Sequence, residues 1–131
     1  LTFGEALYLF EMMSQKNKVS IARNYNLKVD EFISYANNIK LIRNLCAHNM
    51  SIIHLKLRTI PKINADFSNI LNRYDRIFSS VLIIIYFIKN INPNYKFKTL
   101  YHTVCQLIKR NKVAKIYGIK NYKLLKKYIK S

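Results

Sequence analysis

Residues 66–91, DFSNILNRYDRIFSSVLIIIYFIKNI, carry the longest apolar rhythm in the chain. Phe67, Ile70/Leu71, Tyr74, Ile77/Phe78, Val81/Leu82, Ile85 and Ile88 recur at three- and four-residue steps, the spacing that lines one face of an α-helix. The period predicts one central helix of roughly seven turns. Its most apolar part, VLIIIYFI, is 8 residues long, well under the roughly 20 that a bilayer span needs. It reads as core, so no membrane partner is expected, and no signal peptide is visible.

The flanks read as further helices. GEALYLFEMMSQ (4–15) sets Leu7, Phe10 and Met12 or Met13 on one stripe, with Glu5 near the end where the helix dipole favours an anion. KVSIARNYNL (18–27) is a shorter helical piece. Val29–Ala47 then carries Phe32, Ile33, Ala36, Ile39, Ile42 or Arg43, and Cys46 at helical steps, with Asp30 and Glu31 in its first turn. Residues 49–63 alternate less cleanly and contain Pro61, which predicts a connector. Past the break at Pro93, residues 97–110 predict a helix with Leu100, Val104, Leu107 and Ile108 inward. A turn at Gly118 precedes a short basic terminal helix. The fold class is an all-α bundle, and 131 residues amount to about one domain.

Composition narrows the function. With 2 Gly and 2 Pro, the chain has neither a P-loop nor a dinucleotide fingerprint, since both need glycine where backbone approaches phosphate. Cys46 and Cys105 stand alone, so neither a disulfide framework nor a cysteine zinc site is indicated, and a reducing cytoplasm is the expected compartment. The chain opens at Leu1 in mid-pattern, as a part of a longer protein would.

Charge is the strongest compositional feature: 23 Lys+Arg stand against 6 Asp+Glu, and residues 76–131 hold 13 bases and no acid. Such an asymmetry favours a polyanion, because each phosphate neutralised by Lys or Arg releases a condensed counterion. Nucleic acid is the first expectation. The competing account is a Lys-, Asn- and Ile-rich composition in which lysines only keep the surface wet.

The chemistry-bearing stretch is IRNLCAHNMS, residues 42–51. Arg43 and His48 are five residues apart, about 140° around an ideal helix and some 7.5 Å along it. One copy on a regular helix would not converge, so the helix must end or bulge, or a second copy must approach across a dimer axis. The groups suit RNA cleavage: a histidine can move a proton to or from a ribose oxygen. An arginine presents a fixed fork to phosphate as charge builds. Asn44 can donate an amide to a phosphoryl oxygen or orient the histidine. No metal and no cofactor is required. The plain alternative is a histidine capping carbonyls and a solvated arginine.

LTFGEALYLFEMM, IRNLCAHN and IYGIKNYKLL occur in the order of landmarks of the Abi family, the AbiD/AbiF-type abortive-infection proteins that contain a HEPN domain, and the chain resembles that family over nearly its whole length. The resemblance implies a HEPN-like bundle over 1–131 forming the C-terminal part of a longer protein. It implies metal-independent endoribonuclease activity in phage defence or as a toxin, at a composite site across a homodimer. Arg43, Asn44 and His48 match the motif residue by residue. Ser51, Ile53 and Tyr122 depart from it, standing where relatives have Arg, an aromatic and Trp. RNA is the expected partner, and an antitoxin of protein or RNA is a further candidate.

The residues expected to contact RNA are Lys40, Asn49, Lys109, Arg110, Lys112, Lys123, Lys126 and Lys127. His54 and His102 read as structural or exposed. Cys46 reads as a small buried side chain, with Leu45, Cys46 and Ala47 packed inward. In the tail, Tyr122 and Tyr128 read as inner-face residues, and the lysines beside them attract phosphate. Two other functions stay open: a non-catalytic RNA-binding or regulatory module, and a helical scaffold whose charge is only compositional.

Overall fold

The computed structural model describes residues 1–62, 65–109 and 111–131, without the side chains of Asn111 and Lys112. Its described residues form eight helices: α1 (Phe3–Glu11), α2 (Gln15–Arg23), α3 (Val29–Ala47), α4 (Ala65–Ser68), α5 (Ile77–Ile91), α6 (Lys98–Leu107), α7 (Asn111–Ile116) and α8 (Tyr122–Lys130). The all-α expectation holds, and among the described residues no helix is long and apolar enough to cross a membrane.

Local chemistry sets the ends of the first two helices. Thr2 and Glu5 form a capping box at α1, with the Glu5 N–H on Thr2 Oγ1 at 3.2 Å and the Thr2 N–H on Glu5 Oε2 at 2.7 Å. α1 stops at Glu11, short of residue 15, because Ser14 takes the N-cap of α2 and accepts from the Asn17 N–H at 3.3 Å. α2 closes with Asn26 at φ 55, the Asn26 N–H on the Arg23 carbonyl and the Leu27 N–H on the Ala22 carbonyl. This is a Schellman closure with asparagine in the left-handed position that glycine usually takes. In a chain with 2 glycines, asparagine fills that role twice.

α3 packs against α1, α2 and α5. Ring contacts of Phe32 and Tyr35 with Phe87, at 5.8 and 6.3 Å, join the start of α3 to the end of α5. At the other end the connector after α3 bonds to the start of α5: the Leu57 N–H donates to the Asp75 carbonyl at 2.7 Å and Arg76 Nη1 to the His54 carbonyl at 2.8 Å. The two helices therefore run antiparallel. Their shared core holds Tyr35, Ile42, Ile77, Phe78, Leu82, Ile83 and Ile85, and extends to Phe67, Leu71, Val104, Ile108, Ile119, Leu125 and Ile129.

The single helix expected over 66–91 is divided. α4 ends at Ser68, and α5 begins only at Ile77. Between them the backbone is committed to another segment. Leu71 pairs antiparallel with Ile119, the Lys120 N–H donates to the Ile70 carbonyl at 2.7 Å, and the Asn72 and Arg73 N–H groups donate to the Gly118 carbonyl at 3.0 and 3.3 Å. These bonds replace the i to i−4 ladder. Phe67, Ile70 and Leu71 are still buried, so the apolar positions are satisfied without helix. Gly118, at φ +80, permits the crossing: a Cβ there would lie 2.8 Å from Arg73 Cβ and 3.0 Å from its carbonyl oxygen. Nearby, the hydrogen bonds from Arg73 hold the Asp75 carboxyl below the usual carboxylate range.

Candidate functional site

The end of α3 carries the candidate chemistry. The helix terminates at His48, whose N–H donates to the Asn44 carbonyl at 3.2 Å. Asn49 follows at φ 54, its N–H on the Cys46 carbonyl at 3.1 Å, and the Met50 N–H returns to the Leu45 carbonyl at 3.0 Å. These two bonds make a Schellman closure, so the backbone reverses immediately after His48. The expected helix end lies where the sequence pattern set it.

Arg43, Asn44 and His48 are all exposed. Arg43 Nη1 donates to Asn44 Oδ1 at 3.2 Å, which couples the guanidinium to the neighbouring amide. The ion pairs among the described residues are Lys56–Asp75, Lys62–Asp30 and Arg73–Asp75, so none of the described carboxylates neutralises Arg43. On helical geometry Asn44 and Ala47 occupy the roughly 140° between Arg43 and His48. Ala47 is exposed and has no side chain beyond Cβ, which leaves the space between the two functional groups open.

Exposure at this end corrects one expectation. Cys46 and Ala47 do not pack inward; both are exposed, and Leu45 is half-buried. Ile42 is buried and Leu45 still packs against the core, so the inward row of α3 runs to Leu45 and not beyond. The rest of the last turn of α3 faces solvent.

The remaining candidates are dispersed. Lys40 is half-buried beside α1, its Cε 3.3 Å from where a Cβ on Gly4 would stand, and it sits one turn before Arg43 on the same side of α3. Asn49 is exposed and occupied as the left-handed closing residue. Lys109, Lys123 and Lys127 are exposed, and Lys126 lies over the Tyr122 ring at 4.8 Å. Arg110 and the side chain of Lys112 lie outside the described residues. The lysines of α8 belong to a helix whose main neighbour is α6, whereas α3 sits among α1, α2 and α5.

Tyr122 and Tyr128 pack against the core, as their inner-face reading expects. Burial, together with a hydrogen bond to Cys105, pushes the Tyr122 phenol up to about 12. Burial also raises Tyr128, and Lys89 stands 4.2 Å over its ring. His54 stacks on Tyr117 at 5.9 Å, and its carbonyl accepts from Arg76, both structural contacts. His102 is exposed and edge-on to Tyr101 at 6.3 Å. Among the described residues no three His, Cys, Asp or Glu side chains gather as a metal site would need.

Sequence reasoning missed a second concave surface, where the turn after α5 meets α6 and the end of α8. It is lined by Lys96, Phe97, Lys98, Tyr101, His102 and Lys130. The signal was present as the alternation of Lys and aromatic residues over 95–98, but nothing local ties that stretch to Lys130.

Residues 1–54 match the family model described as Abi-like protein, a span that covers α1, α2, α3 and the Schellman closure with Arg43, Asn44 and His48 inside it. No curated protein and no solved structure matches the chain.

Proposed function

We propose, with the Abi-like match over residues 1–54 as premise, that the chain is a metal-independent endoribonuclease of HEPN type acting in phage defence or as a toxin. The observation that carries the reading is the exposed end of α3. It presents an arginine, an amide and an imidazole to solvent around a small residue, with no acid among the described residues paired to the arginine. A phosphodiester fits this arrangement. The ribose 2′-oxygen attacks the adjacent phosphorus, and the bond to the 5′-oxygen breaks. His48 moves the proton, and Arg43 with Asn44 stabilises the charge gathering on the phosphoryl oxygens. The products are a 2′,3′-cyclic phosphate and a 5′-hydroxyl.

The wide angle between Arg43 and His48 favours completion of the site by a second copy. Support comes from α1, which packs on α3 and turns Tyr8 (63% exposed), Leu9 (51%) and Met12 (67%) to solvent, apolar surface of the kind that association covers.

The test is cleavage of an RNA in excess EDTA, with the ends identified chemically. The parent is expected to leave 2′,3′-cyclic phosphates, and His48→Ala to slow the reaction about 10²- to 10⁴-fold, the usual contribution of a general acid or base. Equal mixing of Arg43→Ala with His48→Ala is expected to restore about a quarter of parental activity. Half of the random dimers would be mixed, each with one of two symmetric sites intact. No recovery on mixing would sink the shared site, and a His48→Ala chain as fast as the parent would remove His48 from the chemistry.

A second reading, a non-catalytic RNA-binding module, is favoured by the exposed lysines of α8. It expects salt-sensitive binding with no cleavage and no response to substitution of Arg43 or His48.

A further inference from the structure

We infer that the hollow between the turn after α5, the first half of α6 and the end of α8 binds one unpaired nucleotide of single-stranded RNA. Its base would lie on the face of Tyr101, and the flanking phosphates on Lys96, Lys98 and Lys130. The inference takes from the function proposed above only that the ligand is RNA. The surface is separate from the end of α3.

The hollow has a volume of about 440 Å³, within the roughly 300–1,000 Å³ typical of small-ligand sites. Its floor is rigid. Phe97 is buried, Tyr101 is half-buried, and both pack against the core formed with Val104, Ile108 and Ile129. Beside it Tyr95 is half exposed and edge-on to Phe97 at 4.8 Å. Three ammonium groups and the imidazole of His102 surround these rings, and among the described residues no acidic side chain lines the hollow. A neutral ligand would leave that charge unanswered.

The contact between Lys130 and Tyr101 specifies the ligand further. The ammonium lies 5.0 Å from the ring centroid, on its π-face, and Lys130 is exposed. A lysine so placed holds the face of the ring while no base is there. When a base arrives, the lysine can swing to the phosphate on its flexible stem, exchanging a cation–π contact for base stacking plus a charge pair. An acidic peptide would engage the lysines but leave the aromatic floor unused. A nucleotide uses both within its own span.

The experiment uses the full chain and a 5-iodouridine-substituted oligo-U, photocrosslinked and digested with trypsin. Iodouracil reacts with aromatic side chains stacked on it, so the label is expected in the peptide Thr99–Lys109, which contains Tyr101 and His102. Label confined to Asn44–Lys56 or to other peptides would overturn the inference. In titrations followed by anisotropy, Lys98→Ala combined with Lys130→Ala is expected to weaken oligo-U binding about tenfold or more. The salt slope should fall by about 0.7 for each phosphate that is no longer neutralised. Tyr101→Phe should bind as the parent does, and Tyr101→Leu should not, with melting curves recorded for both. Displacement of the oligonucleotide by poly-glutamate as readily as by oligo-U would overturn the assignment in favour of an acidic peptide. Cleavage is scored separately. Label in Thr99–Lys109 without cleavage would leave this site standing and the nuclease fallen, and His48-dependent cleavage without that label the reverse.

Discussion

Asn49 separates a conformational role from a contact with RNA, and two substitutions distinguish them. At φ 54 it occupies the left-handed region, and its N–H and that of Met50 close the last turn of α3 at 3.1 and 3.0 Å. A residue with a Cβ pays roughly 1–2 kcal/mol to enter that region, and asparagine less than most. Asn49→Ala is therefore expected to destabilise the chain by about 1 kcal/mol. Asn49→Gly removes the Cβ and should be neutral or stabilising by a few tenths of a kcal/mol, because glycine is the preferred residue at this position. Urea unfolding followed by circular dichroism at 222 nm resolves a difference of this size. In the nuclease assay Asn49→Gly should keep parental activity, since the closure that positions His48 survives, while Asn49→Ala should lose part of it. Equal stability of the two variants, or a glycine variant the less stable, would refute the conformational account. Equal and large losses of RNA binding in both, with stability unchanged, would instead make the side-chain amide an RNA contact.

Gly118→Ala should cost about 2–4 kcal/mol, combining the left-handed penalty with contacts of 2.8 and 3.0 Å to Arg73. At about 3–5 °C per kcal/mol for a domain of this size, the melting temperature should fall by roughly 6–20 °C; an unchanged melting curve would mean that the 70–73 and 118–121 segments do not cross as described. At alkaline pH two half-buried phenols set another test. Tyr122, raised to about 12, and Tyr128, also raised, hold their protons more tightly folded than unfolded. Their stabilisation is complete below the ordinary phenol value near 10 and is lost as pH rises through the folded values. The double Tyr122→Phe, Tyr128→Phe variant should keep its helicity to higher pH than the parent, and coincident alkaline transitions would show that these phenols do not govern it.

Much of the architecture was legible because helices announce themselves locally. Val29 to Ala47 was readable end to end, since its apolar steps, its acidic first turn and the asparagine after His48 are all properties of adjacent residues. The first two Abi landmarks likewise lie in the segment that matches the family model. The 66–91 stretch misled because Phe67, Ile70 and Leu71 are apolar at helical spacing whether or not the backbone between them is helical. Burial alone was demanded of them, and the crossing with 118–121 supplies it.

The sequence by itself determined the helical class, the acid-free basic half and the chemical identity of Arg43, Asn44 and His48, since composition and short-range periodicity do not depend on packing. Tertiary structure alone decided that α5 starts at Ile77, and that Cys46 and Ala47 at the end of α3 stand in solvent. It also decided that Lys130 reaches Tyr101 from another helix. Both outcomes rest on backbone hydrogen bonds and packing between residues about thirty or more positions apart, and no local pattern encodes which distant partner will take them.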